Sequence, residues 1–142
     1  VRRQEGSLAL LFLDLDQFKQ VNDEHGHGIG DLLLQELSVR IKACVRESDT
    51  VGRMGGDEFL ILLPRINAPE DAFVVAETIR AMVCRPYVLD GVDLSVSPSI
   101  GIAHYPEHGD DHRQLIRYAD EAMYSAKRQG GNRSLFWVPP PH

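Results

Sequence analysis

The sequence predicts an α+β fold of the ferredoxin-like kind, a mixed sheet covered by helices. Three observations point to it. Strand-length apolar runs and helical patterns follow one another in the order β, α, α, β-hairpin, α, β, α, β. Leu8–Leu13 (LALLFL) is apolar at every position, as a central strand buried on both faces would be. Gly55-Gly56 separates a run ending at Met54 from the apolar Phe59–Leu63. That is the signature of a two-residue hairpin with positive φ at both glycines, and it rules out an all-parallel sheet. The helices are expected on one face.

The chain has 142 residues, enough for one domain with a real core. A 43% hydrophobic and 25% charged composition is that of a soluble globular protein. No apolar run approaches the ~20 residues that span a bilayer. The opening VRRQEGS lacks the apolar segment of a signal peptide. Cys44 and Cys84 lie far apart in helix-like segments, which suits small buried side chains in a reducing compartment and a cytoplasmic location. A net charge of −6 disfavours nucleic acid as a partner. It still permits polyphosphate binding through a divalent metal held by carboxylates.

The elements follow in order. Asp14 and Asp16 close the first strand on one side, with Leu15 on the other. Paired carboxylates at the end of a buried strand need compensation, for which a divalent metal is the usual source, unless the strand simply emerges into solvent at Asp14. Phe18–His25 is a short helix with Phe18, Val21 and Asn22 at helical spacing. Gly26–Gly30 is glycine-rich but is not the GxGxxG dinucleotide pattern, and the HxH pair His25/His27 lacks a third ligand nearby. A long helix is expected over Asp31–Arg46, with Leu34, Leu37, Ile41, Cys44 and Val45 inward and Asp31 at its favourable N-terminus.

Asp57 and Glu58 follow the glycines, where a strand of Phe, Leu and Ile has no packing use for carboxylates. Missing side chains at Gly55 and Gly56 let a ligand approach the backbone. Ala72–Val83 is an amphipathic helix with Phe73, Ala76, Ile79, Met82 and Val83 inward, and Asp90-Gly91 is a second hairpin turn. Ser95–Tyr105 reads as a strand in which Pro98 marks an edge or a bulge. Pro106–Asp111 is a loop, Arg113–Arg128 a helix, and Leu135–Val138 a last strand. In such a fold the first strand lies beside the hairpin, which gathers Asp14, Asp16 and Asp57 into a divalent-metal site.

The ordered set Asp14-Leu15-Asp16-Gln17-Phe18-Lys19, Asn22-Asp23, Gly26-His27, Gly30-Asp31 and Arg53-Met54-Gly55-Gly56-Asp57-Glu58-Phe59 resembles the GGDEF family of diguanylate cyclases. Asp120–Lys127 (DEAMYSAK) is similar to that family's C-terminal helix. The resemblance implies a palm-type fold related to the class III nucleotide cyclase catalytic domains. It implies condensation of two GTP molecules to cyclic di-GMP and two pyrophosphates, with two domains facing each other as a homodimer. Carried over by position, Asp14, Asp57 and the Leu15 carbonyl would ligate Mg²⁺ or Mn²⁺. Glu58 would serve the metal or the 3′-hydroxyl, and Asn22 and Asp31 would read the guanine edge. Gly55 and Gly56 would leave room for the nucleotide. Phe18, Lys19, the amides around Gln17–Lys19, and Lys127 would hold phosphates.

Arg46-Glu47-Ser48-Asp49 has the RxxD form of the family's inhibitory product site, in which Arg46 and Asp49 would bind cyclic di-GMP. Thr78 stands where the family often adds a second arginine, with Arg80 nearby, and Gly131 stands where it commonly has a basic residue, with Arg128 and Arg133 as replacements. The resemblance also implies a catalytic domain over residues 1–138 and a proline-rich tail or linker over 139–142. The family's opening helix has no counterpart ahead of Val1, so a longer protein is expected. It would carry a regulatory domain upstream and room for a phosphodiesterase-type domain downstream, with or without a membrane tether. A weak or inactive domain that senses GTP or cyclic di-GMP is the alternative. A phosphoacceptor switch built on the acidic cluster and Lys127 would need a parallel sheet, which the hairpin contradicts.

Overall fold

The structure, a computed structural model, describes residues 7–105 and 111–139. The expected loop before Asp111 and the tail beyond Pro139 lie outside the described residues. A five-stranded sheet runs in the order β2-β3-β1-β6-β7. Its strands are β1 (Leu8–Leu15), β2 (Thr50–Gly55), β3 (Glu58–Leu63), β6 (Pro98–Tyr105) and β7 (Arg133–Phe136). β4 (Tyr87–Leu89) and β5 (Val92–Leu94) form a separate hairpin. The helices are α1 (Phe18–His25), α2 (His27–Ala43), α3 (Pro69–Val83) and α4 (His112–Arg128). β1 pairs antiparallel with β3 and β6, and β6 pairs parallel with β7. The mixed α/β architecture is the one expected.

The helices cover both faces, not one. β1 dictates this, because it is apolar on both sides. Ala9, Leu11, Leu13 and Leu15 enter one core with Leu33, Leu37 and Ile41 of α2 and Ala76 and Ile79 of α3. Leu10 and Phe12 enter a second with Leu115, Ala119 and Met123 of α4. Gly101 lets α4 seat on β6, since a Cβ there would lie 2.0 Å from the Ala119 carbonyl oxygen.

Several expected details shift. Pro98 is the first residue of β6, a central strand paired on both sides, so it marks neither an edge nor a bulge. Phe73 is not inward. It is 37% exposed and stacks on Phe136, with ring centroids 5.8 Å apart, while Ala72 takes the core position. The two cysteines are free and only half-buried. The Asp90-Gly91 turn is as predicted, with φ of 51° and 79°. Among the described residues no helix is long and apolar enough to cross a membrane.

α2 begins at His27, a full turn earlier than expected, and ends at Ala43. Gly26, at φ 91°, breaks the chain between α1 and α2, so the glycines Gly28 and Gly30 lie inside the helix. Asp31 therefore sits in its second turn rather than at its terminus, and Arg46 lies beyond its end.

Candidate active site

The hairpin turn is offset by one residue from the predicted one. Gly55 pairs with Glu58, so Gly56 and Asp57 form the two-residue loop. Of the two glycines only Gly56 has positive φ, at 28°. Arg53 pairs with Phe59, so the register shifts at Met54. This offset matters for chemistry. It takes Asp57 out of strand alternation and lets both Asp57 and Glu58 serve the end of β1.

There, Asp14 pairs across β1 and β3 with Glu58. Its side chain is hydrogen-bonded to Asp57. Burial, then that hydrogen bond and the Asp57 charge, push the Asp14 carboxyl up to about 8 from 3.8, against the opposing pull of Lys127. Glu58 is also raised, by burial and by the charges of Asp120 and Asp57. Asp120 is raised in turn, by burial and by Glu121. Four carboxylates thus crowd one end of the sheet.

The cation among them is Lys127. Its ammonium donates to the Leu15 carbonyl oxygen at 2.9 Å and lies 3.8 Å from Asp14 Oδ1 and 3.5 Å from Asp16 Oδ1. It approaches from α4, on the face opposite α1–α3.

Asp16 does not join Asp14 and Asp57. It accepts from Ser97 Oγ and Ser99 Oγ, both at 2.5 Å, and from the Asn132 amide at 2.9 Å. β1 ends at Leu15, and Asp16 is turned toward the start of β6 and the loop after α4. The expected three-carboxylate cluster is therefore absent. Among the described residues no group of three His, Cys, Asp or Glu side chains stands where it could hold a metal ion. What remains is two carboxylates, Asp14 and Asp57, and the Leu15 carbonyl, all hard oxygen donors. Such a set fits a Mg²⁺ or Mn²⁺ ion that keeps waters or takes substrate phosphates as further ligands. Asp14 stays elevated because burial and the neighbouring Asp57 carboxyl outweigh the pull of the Lys127 ammonium.

The nucleotide-facing candidates cluster at α1 and α2. The first amides of α1, from Phe18 on, have no acceptor within the helix, the usual anion-binding arrangement. Phe18 packs against the main core, while Lys19 is exposed and paired with Asp23 at 3.1 Å. Asn22 is seated against α2, because a Cβ at Gly30 would lie 1.9 Å from its Oδ1. That Oδ1 is buried without a hydrogen-bond partner. Asp31, next to Gly30, is exposed. Gly55 and Gly56 are exposed, as a close approach to the turn requires.

Neither candidate replacement for a basic residue at 131 reaches the Asp14 cluster. The Arg128 guanidinium lies over the Tyr124 ring at 5.6 Å. Arg133 donates to the Gly131 carbonyl at 3.1 Å and to Gln129 at 3.3 Å.

The RxxD segment lines a second cavity, of about 570 Å³, together with Arg65, Asn67 and Asp71. Arg46 reaches the Arg65 carbonyl at 3.1 Å, and its amide donates to Asp49 Oδ2 at 2.8 Å. The Asp49 side chain is 2% exposed, and its Oδ1 has no partner. Thr78 is turned back onto its own helix, donating to the Val74 carbonyl, and Arg80 is held by Glu77 and Asn132. The arginine that lines this cavity beside Arg46 is Arg65, which gave no sequence signal.

The five-stranded sheet with helices on both faces is a palm-type domain, and the chain belongs to the diguanylate cyclase GGDEF domain family. That family's model matches residues 1–133. Diguanylate cyclase TpbB of Pseudomonas aeruginosa is 48% identical over 130 residues, covering 90% of this chain and 30% of that protein. The bifunctional diguanylate cyclase/cyclic di-GMP phosphodiesterase MucR of the same species is 46% identical over 135 residues, 95% of this chain and 20% of MucR. The chain thus spans under a third of these relatives. The crystal structure of the TpbB GGDEF domain matches with a TM-score of 0.93 at 44% identity, covering 95% of this chain and 84% of that one.

Proposed function

We propose that this chain is a diguanylate cyclase catalytic domain that condenses two GTP molecules into cyclic di-GMP and two pyrophosphates. The observation that carries the reading is the Asp14–Asp57 pair, formed where the Gly56-Asp57 turn meets the end of β1 beside the Lys127 ammonium. In each half-reaction the 3′-oxygen of one GTP attacks the α-phosphorus of the other. A phosphorus–oxygen bond forms, the α–β bridge breaks, pyrophosphate leaves, and the hydroxyl proton passes to a nearby base.

A divalent ion held by Asp14, Asp57 and the Leu15 carbonyl would neutralise phosphate charge and acidify the 3′-hydroxyl. The protein's own residues do the remaining work. Glu58, its carboxyl raised by burial and by the Asp120 and Asp57 charges, is placed to accept or relay the proton. Lys127 and the first amides of α1 hold phosphate oxygens. Asn22 and Asp31 read the guanine edge, a carboxylate suiting the N1–H and N2–H₂ donors that adenine lacks. One such site holds one GTP, so turnover takes two domains face to face.

Arg46 and Asp49 form a product site at the second cavity. The partnerless Asp49 oxygen supports this, since a buried carboxylate seeks a donor such as a guanine edge. DgcB of Caulobacter crescentus has been solved with c-di-GMP, at 30% identity to this chain.

A second reading is a sensor module that binds nucleotide without turnover. Gly131, which offers no phosphate ligand, favours it, and the relative PdeR of Escherichia coli is named a cyclic di-GMP phosphodiesterase. Forcing two copies together through a fused coiled coil, then separating nucleotides after incubation with GTP and Mg²⁺, decides between them. Cyclic di-GMP and pyrophosphate are expected. Metal-dependent GTP binding with neither product would establish the sensor.

A further inference from the structure

Asp14 and Asp16 are two residues apart on the same side of the chain, yet the fold treats them oppositely. Asp14 shares its environment with a second carboxyl. Asp16 is surrounded by donors from three segments: Ser97 and Ser99 at the start of β6, the Asn132 amide after α4, and Lys127 within α4. Ser99 is completely buried, so this arrangement is part of the core. Oδ2 is filled by Ser97 and Asn132, while Oδ1 takes Ser99 and faces the ammonium.

The loop is shaped around this carboxylate. Gly131 has φ 75°, and a Cβ on it would lie 2.7 Å from Asp16 Oδ2. The Asn132 side chain, held by Arg80 at 2.9 Å and by Cys84 at 3.3 Å, pins the same loop to α3.

We infer that Asp16 is a positioning residue for Lys127, a fixed negative charge that holds the ammonium at the mouth of the Asp14–Asp57 pair and so prepares it for a triphosphate. The inference rests on the proposed phosphate-binding role of Lys127. A flexible four-carbon side chain loses rotamer freedom when it binds a phosphate. An anchor that holds it in place beforehand removes part of that cost. Asp16 is suited to this because its other contacts are satisfied within the protein, so it stays in place whether or not nucleotide is present.

The test is a double-mutant cycle on binding, using the full chain with saturating Mg²⁺. The probes are a GTP analogue with a methylene bridge between the α- and β-phosphates, and GMP. Asp16→Asn is expected to weaken analogue binding about fivefold to tenfold, the loss of one charge-assisted contact. GMP binding should change less than about twofold. In a Lys127→Met background, Asp16→Asn should add no further loss. Ser99→Ala, which keeps the charge but frees the oxygen facing Lys127, serves if Asp16→Asn does not fold. It should give a smaller loss that again needs Lys127. Equal losses for GMP and analogue, a loss that persists without Lys127, or no loss at all would overturn the inference. If Lys127→Met itself leaves analogue binding intact, the phosphate role of Lys127 fails, and the Asp16 inference with it.

Discussion

Asp14 and Asp57, one at the end of a buried strand and one in the turn of a neighbouring hairpin, are hydrogen-bonded side chain to side chain. Burial first, and then the Asp57 carboxyl beside it, raise Asp14 to about 8. The pair is thus poised to exchange its proton for a cation.

Stability without metal follows from this. Asp14 unfolded would ionise near 3.8, and folded near 8. The folded state therefore binds more protons between those values, and its stability falls as pH rises through that window. Asp14→Asn removes the penalty. Thermal melts in chelator at pH 8 should show the variant melting a few degrees higher than the parent, with the difference vanishing near pH 4. A parent melting temperature that rises from pH 4 to pH 8 through this group would contradict the assignment.

Metal affinity should carry the same proton. Below pH 8 a bound divalent ion displaces it, so Mg²⁺ affinity should rise by about tenfold per pH unit and level off above the Asp14 value. Calorimetry in buffers of different ionisation enthalpy would register close to one proton released per ion at neutral pH. No release would mean that Asp14 is not a ligand.

Restoring a basic side chain at position 131 should fail. Gly131→Arg places a Cβ against Asp16 in a left-handed backbone conformation. A loss of about 1–2 kcal/mol in stability is expected, with no gain in triphosphate affinity. Urea unfolding and nucleotide titration measure the two.

Much of the fold was legible because strand and helix periods leave strong patterns. The apolar Leu8–Leu13 run, the Gly-Gly hairpin and the Asp90-Gly91 turn each fixed an element in the right place. The one-residue offset of the hairpin was not legible, since the Gly-Gly pattern puts both glycines in the turn and the register shift in the β2–β3 pair at Met54 carries no sequence signal. Nor was the early start of α2, where the helical Gly30 is set by its close approach to Asn22 rather than by propensity. Within the site, Asp14, Asp57, Leu15 and Lys127 were named from sequence and come together. Asp16 was expected among them, but its partners Ser97, Ser99 and Asn132 lie far along the chain. Arg65 was missed because a lone arginine after a strand carries no local signal.

The second cavity can be tested alone. Arg46→Ala removes the guanidinium beside the buried Asp49 carboxylate. Calorimetric titration with cyclic di-GMP should show affinity lowered by about tenfold or more. Arg65→Ala, on the same cavity, should lower it by a smaller factor. Unchanged affinity in both would place product binding elsewhere.

The most direct measurement is the Mg²⁺ dependence of cyclic di-GMP formation from GTP by coiled-coil-paired domains, in the parent and in Asp57→Ala. A metal-centred Asp14–Asp57 pair predicts product that saturates with Mg²⁺ in the parent and a loss of at least about a thousandfold in the variant. Undiminished product from Asp57→Ala at the same Mg²⁺ concentrations would contradict it.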